Sequence, residues 1–409
     1  MKSIGCLILS IFSLSAISQK DSLKWFKGNV HTHSLWSDGN EFPEMIMDWY
    51  KSRGYDFVSL SDHNTLASGE KWVQIPTHPF RQQAYKTYLQ KFGQSWVQTK
   101  TDTGGRISVK LKTFEEYRSL FEEKDKFLIM QAEEISDQFE KKPIHLGAIN
   151  VRELIKPQGG NSVAQVMQNN LDALLEQRKR TGQPMFAHIN HPNFVWAIKL
   201  EDMMQLKGDR FFEVYNGHPH VHNYGDSTTI GMEELWDRLQ IHYIKEGREL
   251  IYGLATDDAH NFLEYNVGTS NPGRGWLMVR ASNLSAAALI DAMEKGDFYA
   301  TTGVELDILE FNRRKLQIDI KEEVGVKYRI EFWGALKDSP DSDRSGVLLK
   351  EVRGSSASYR VKSKHLFVRA KIISTKLKAN PYAEGDMESA WTQPVQRRAF
   401  TRYTSNTIR

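Results

Sequence analysis

Gly28-Asn29-Val30-His31-Thr32-His33-Ser34-Leu35-Trp36-Ser37-Asp38-Gly39 is the stretch on which the reading of this chain turns. Side chains alternate along a strand, so His31 and His33 share one face. Asp38 follows in a turn. Imidazole nitrogens and a carboxylate gathered at a strand end form a donor set for a divalent cation. Taken alone, a His-x-His pair is more often one buried and one solvated histidine. Here His and acidic clusters recur along the chain, each near the end of an expected strand, and the recurrence favours the metal.

Outward from that stretch, residues 41–53 place Met45, Ile46, Trp49 and Tyr50 at helical spacing, with Pro43 at the start and Gly54 as the stop. The apolar run 55–60 reads as a strand that delivers Asp62-His63 at its carboxyl end. Residues 127–132 do the same for Glu133-Glu134, and 143–149 carry His145. Residues 163–180 form a helix with Val166, Met167, Leu171, Leu174 and Leu175 on one face. The segment 185–192 holds His188 and His191, and the strand 250–255 ends in Asp257-Asp258-Ala259-His260. Strand alternating with helix predicts an α/β domain with a parallel, barrel-like sheet, whose ligands gather at the carboxyl ends of the strands. Residues 65–126 interrupt the rhythm with aromatic and polar sequence. They read equally well as a lid or substrate wall and as a surface elaboration with its own small core.

The rest of the chain sets bounds. With 409 residues, two domains are expected. Hydrophobic residues make up 40% and charged residues 26%, and a net charge of +3 is too small to argue for a nucleic-acid partner. Residues 1–18 have the form of a secretory signal: Lys2, an apolar run 4–17, and Ala16-Ile17-Ser18 before Gln19. The expected location is periplasmic or secreted, with no membrane span after signal removal. The one cysteine, Cys6, lies inside that run, so a metal site must be built from His, Asp and Glu. Beyond Gly303, short alternating segments at 305–311, 315–320, 327–333, 346–352, 358–361 and 367–373 predict a small all-β, sandwich-like module over 304–409. Its expected role is structural, with carbohydrate or partner binding as the weaker alternative.

The strand-end set is His31, His33, Asp38, Asp62, His63, Glu134, His145, His188 or His191, Asp258 and His260. So many imidazoles and carboxylates imply a polynuclear centre. Such a centre lowers the pKa of bound water from about 15.7 to about 7 and clamps the oxygens of a transferring phosphoryl group. His-x-His with Ser37-Asp38-Gly39, then Leu60-Ser61-Asp62-His63-Asn64, Glu134-Ile135-Ser136, His145-Leu146-Gly147, Asn190-His191-Pro192 and Asp258-Ala259-His260, in that order, resemble the polymerase and histidinol phosphatase (PHP) superfamily over residues 25–303. The secreted two-domain form is most similar to its carbaryl-hydrolase-like branch.

The resemblance implies a distorted (β/α)7 TIM-like barrel and two to three divalent metals, Zn, Mn or Fe. Carried over position by position, His31, His33, Glu134 and Asp258 would hold the first metal. Glu134 would bridge to a second, completed by His145 and His191. Asp38, His63 and His260 would hold the third. A bridging hydroxide held by Glu134 and Asp258 would be the nucleophile. Three motifs offer a neighbour: Glu133 beside Glu134, His188 beside His191, Asp257 beside Asp258. The family pattern selects the second of each. Asp62, His188, Asn216 and Arg274 are expected around the ligands or against substrate. Arg274 is a candidate phosphate contact through its guanidinium fork, and equally an ordinary loop arginine. His218, His220 and His222 read as a solvated loop, with His218 able to approach substrate. The implied activity is metal-dependent hydrolysis of a small anionic phosphomonoester or phosphodiester. The alternatives are cleavage of an amide or carbamate at the same site and, more weakly, a metal-stabilised binding protein.

Overall fold

The computed structural model describes residues 23–312, 314–337 and 345–397. The expected signal segment, residues 1–18, lies outside them. The protein is a mixed α/β molecule, rich in strands, built on two large sheets. One has nine strands, in the order Val347–Arg353, Tyr328–Leu336, His365–Leu377, Met387–Thr392, Phe298–Thr301, Trp276–Ala281, Lys24–Asn29, Phe57–Val58, Leu128–Ile129. The other has five: Tyr252–Thr256, Phe211–Asn216, Phe186–Ile189, Lys142–Ile149, Ala132–Phe139.

The helices form where the spacing placed them. Pro43–Ser52 starts on its proline, whose missing N–H costs nothing in the first turn. Val163–Thr181 is capped by Ser162, whose hydroxyl accepts from Gln165 N, and stops at Gly182 in the left-handed region. It buries Val166, Met167, Leu171 and Leu174 against the five-stranded sheet.

A regular (β/α)7 succession is not what the ladders form. Ala132–Phe139 and Lys142–Ile149 are an antiparallel hairpin, and Lys142–Ile149 is antiparallel to Phe186–Ile189 as well. Only Glu140 and Lys141 separate the hairpin strands, with Glu140 at φ 55°. A parallel return needs a crossover of a dozen or more residues, so this connection can only turn back. The parallel pairs are Lys24–Asn29 with Phe57–Val58, the latter with Leu128–Ile129, and Phe211–Asn216 with both its neighbours. Two single parallel bridges, Thr32 to Ala259 and His63 to Glu134, tie the two sheets together. Candidate ligands lie on or beside both bridges.

The C-terminal strands do not stand apart. Met387–Thr392 pairs with Phe298–Thr301, so one sheet runs unbroken across the expected boundary at 303/304. A second, three-stranded sheet of Leu306–Asn312, Lys315–Ile320 and Ser356–Arg360 packs on it around Leu316, Ile318, Ile330 and Phe332. Residues 65–126 carry their own three-stranded sheet, Trp72–Gln74, Ile107–Lys110, Thr99–Thr101, and the helices Pro79–Phe92 and Phe114–Phe121. Their core is shared with Pro43–Ser52: Tyr88, Val109, Leu111 and Phe114 pack with Phe42, Ile46 and Met47. No helix among the described residues is long and apolar enough to cross a membrane.

Candidate metal centre

The carboxyl ends of the parallel strands converge on one buried cluster. After Asn29 the chain leaves the regular ladder. His31 and His33 enter on a segment held by bonds from His33 N to Ala259 O and from Asp258 N to His31 O. Both rings are fully buried. His31 Nε2 lies 3.4 Å from Glu134 Oε1 and 3.2 Å from Asp258 Oδ1. His33 Nε2 lies 3.5 Å from Glu134 Oε2 and 3.2 Å from Asp258 Oδ1. His145 Nδ1 and His191 Nε2 approach Glu134 Oε1 at 3.0 and 3.3 Å. Asp38 completes the outer end: its carboxylate is 3.4 Å from His63 Nε2 and 3.4 Å from His260 Nε2.

The imidazole protons are placed by groups outside the cluster. His31 Nδ1 donates to Glu213 Oε1 at 2.6 Å. His260 Nδ1 donates to Asp258 O at 2.9 Å. Ser136 Oγ donates to Glu134 O and so receives the Nδ1 proton of His63. Ser37 Oγ donates to Asp62 Oδ1 and receives that of His33. Each of these rings therefore turns an Nε2 lone pair inward, which is how an outer partner prepares a histidine to bind metal. His31 Nε2 and His33 Nε2 are buried with no hydrogen-bond partner. Glu134 Oε2 lies 2.7 Å from His63 Nδ1 in a geometry that makes no hydrogen bond. Buried polar atoms left without partners are costly. Here they point at one another, as they would around cations.

Four groups have donor atoms within 4.8 Å of one another: His33, Asp38, His63 and His260; His31, His33 and Glu134; His31, His191 and Asp258; His63, Glu134 and His145. The donor set of imidazoles and carboxylates suits divalent metal. Asp38, His63 and His260 come together with His33 beside them. Glu134 and Asp258 each touch several imidazoles, as bridging carboxylates do. Burial opposes charge on Glu134, but His145, His63 and His31 around it hold its carboxyl well below the usual range. Burial and the neighbouring His260 push His33 down to about 3. Strain marks the same place: His191 and Asp258 have φ of 24° and 48°, in the left-handed region that side chains avoid.

The paired alternatives separate cleanly. Glu133 points to the opposite face, where Oε1 accepts from Ile155 N and burial raises its carboxyl to about 8. Asp257 accepts from Asn29, Tyr50, and the backbone of Arg274 and Gly275. His188 is fully buried beneath the cluster and 3.7 Å from Glu213. It fills the space that Gly147 leaves, for a Cβ there would lie 2.1 Å from its Nε2. Its ring is closed off from solvent. Asp62 braces the loop 34–37 by accepting from Ser34 N, Ser34 Oγ and Ser37 Oγ. Asn216 donates to Glu213 and Asp258.

Arg274 has the place of the loop arginine that was the equal alternative to a phosphate contact. It is fully buried, and its guanidinium donates to Gly217 O and Asn266 O at 2.8 Å each. It ties two loops together and is not free to meet a phosphate. Glu213 and Asn190 were not singled out beforehand. Glu213 accepts from His31 Nδ1, His191 N, Asn216 Nδ2 and Thr256 Oγ1. Asn190 donates to Glu134 Oε1 at 2.8 Å. His218 stands half-buried at the rim, its ring 5.6 Å from that of His260, and its Nδ1 accepts from His220 N.

No family model matches this chain, and no curated protein matches it. Solved structures do. A two-domain protein from Bacteroides vulgatus, described as containing a PHP-like metal-dependent phosphoesterase, is 14% identical, with 91% of this chain and 96% of that one covered at a TM-score of 0.39. A protein described as a metal-dependent phosphoesterase from Bifidobacterium adolescentis is 11% identical, covering 58% and 89%, at 0.29. An amidohydrolase from Chromobacterium violaceum is 11% identical, covering 57% and 87%, at 0.28. At this level of similarity no reaction is fixed, and the chemistry of the site has to carry the function.

Proposed function

We propose that this chain is a PHP-superfamily metallohydrolase that cleaves phosphomonoesters or phosphodiesters. The observation that carries the reading is the set of inward Nε2 lone pairs of His31, His33, His63 and His260, fixed by outer hydrogen bonds, the first two facing Glu134 and Asp258 and the last two facing Asp38. His31, His33, Glu134 and Asp258 would hold one divalent metal, Glu134, His145 and His191 a second, and Asp38, His63 and His260 a third. When bound, such ions supply Lewis-acid charge and make water nucleophilic near neutral pH.

The protein's own groups do the rest. Glu213 keeps the His31 proton on Nδ1, so that Nε2 stays a donor of its lone pair. Asn190 and Asn216 hold the carboxylates of Glu134 and Asp258 in place through N–H bonds. At the rim, the Nδ1 of His218 is occupied by His220 N–H, so a neutral ring carries its proton on Nε2. That proton is a hydrogen-bond donor for a substrate oxygen. Phe194 packs against His191 and His218 and forms an apolar part of the same rim.

The secreted, carbaryl-hydrolase-like form and a periplasmic or secreted location belong to this proposal. So do the identities Zn, Mn or Fe and a small anionic substrate. The same centre acting on a carbonyl gives the amide- or carbamate-cleaving alternative. The test is turnover by the metal-reconstituted protein across phosphomonoesters, phosphodiesters, and amide and carbamate substrates. Hydrolysis of phosphoesters is expected. Turnover confined to carbonyl substrates would overturn the choice of bond, and none with any metal would overturn the enzyme.

A further inference from the structure

A cleft of about 390 Å3 opens beside the metal centre, between the loop that carries Asp38 and the segment 71–84 of the insertion. Ser37 and Asp38 are among its lining, and Asp38 is the one candidate ligand among the described residues whose side chain is more than half exposed. Its walls are largely apolar: Leu35, Val73, Ile75 and Ala84. The volume lies in the range of small-molecule sites.

Two cations line the cleft, and they differ. Lys71 Nζ is already donated to Trp36 O. Arg81, in the first turn of the helix Pro79–Phe92, has no carboxylate within ion-pair distance among the described residues, and its Nη1 is buried with no hydrogen-bond partner. Glu41 is the acidic group that acts on it electrostatically, at more than salt-bridge range; it is itself buried and accepts from Phe42 N. Asp38 is engaged by His63 and His260. Among the described residues no carboxylate pairs with this half-buried guanidinium, and its planar fork matches carboxylate and phosphate oxygens.

We propose that this cleft receives the alcohol portion of the substrate and selects one whose far end is anionic, a carboxylate or a second phosphate, by pairing it with Arg81. The proposal rests on the phosphoesterase reading for the end of the substrate that meets the metals. It gives the insertion a role as substrate wall.

Binding tests it without needing turnover. Alkylphosphonates of graded length, each with and without a terminal carboxylate, are titrated into the metal-loaded protein by calorimetry. At one chain length the carboxylate is expected to tighten binding about tenfold. Arg81→Gln should abolish that preference while the plain alkylphosphonates stay within about twofold. Arg81→Lys should keep part of it, because charge survives and the fork does not. Unchanged metal content and melting temperature show that the variants fold. No carboxylate preference at any length, or equal weakening of both series by Arg81→Gln, would overturn the proposal. An Arg81-dependent preference in a protein that hydrolyses no phosphoester would instead contradict the choice of bond and leave the cleft assignment intact. Phosphoester hydrolysis with no such preference would do the reverse.

Discussion

Glu213 touches no other carboxylate of the cluster, yet it sets the orientation of much of it. Burial opposes its charge, and His31 beside it holds the carboxyl down to about 2. Glu213→Gln removes that charge at constant size and frees the His31 proton. Metal affinity should fall about 10- to 100-fold, as for other outer partners of metal-binding histidines. Competition against a chelator measures it, and excess metal should restore activity; unchanged affinity would contradict the role. The signal for Glu213 was present in Phe211-Phe212-Glu213-Val214-Tyr215-Asn216, since an acid inside an apolar strand must be paired. It was passed over because it lies outside the histidine motifs. Glu133 makes a separate prediction. Its carboxyl is raised to about 8 by burial, so the folded state holds a proton that the unfolded chain releases near 4.5. Stability should therefore fall as pH rises from about 4.5 to about 8. Glu133→Gln should remove that decline in urea-melt profiles taken across the window. A slope identical to the wild type would show that Glu133 is not protonated in the fold.

The helices were legible at the scale of elements because helical spacing, Pro43 and Gly182 mark them locally. The hairpin at 140–141 was not, because an apolar strand reads the same in a parallel and an antiparallel pair. Only the length of its connection decides. The sheet that crosses residue 303 was hidden for a related reason: pairing between Phe298–Thr301 and Met387–Thr392 spans most of the C-terminal region. That continuity is sealed by buried polar contacts. Arg369 makes two bonds to Asp237, at 2.7 and 2.8 Å, both residues being buried, and Gln393 exchanges two bonds with the backbone of Gly253. Arg369→Met strands a buried carboxylate and should cost about 3–5 kcal/mol by denaturant unfolding. Adding Asp237→Leu should recover much of it. A loss below about 1 kcal/mol would mean that the pair behaves as a surface ion pair.

Across the whole molecule, the site exists only where two sheets meet. The candidate ligands come from the His31 segment, from the Asp62-His63 loop, from the hairpin strands, and from the ends of Phe186–Ile189 and Tyr252–Thr256. The nine motif residues stand out in the sequence as His and acidic clusters beside apolar runs, although Glu134 and His145 lie within hairpin strands; that they close on one point depends on pairings far apart in sequence, such as His63 with Glu134. Metal bound to such a cluster stabilises the fold by mass action, so a chelator should lower the melting temperature and added metal restore it. The central claim is a polynuclear centre bridged by Glu134. Elemental analysis of the purified wild type and of Glu134→Ala, both folded by circular dichroism, tests it most directly. The account predicts two or three divalent ions per wild-type chain and loss of more than one on removal of this single carboxylate, with hydrolysis abolished. One ion or none in the wild type, or full occupancy in Glu134→Ala, would contradict it.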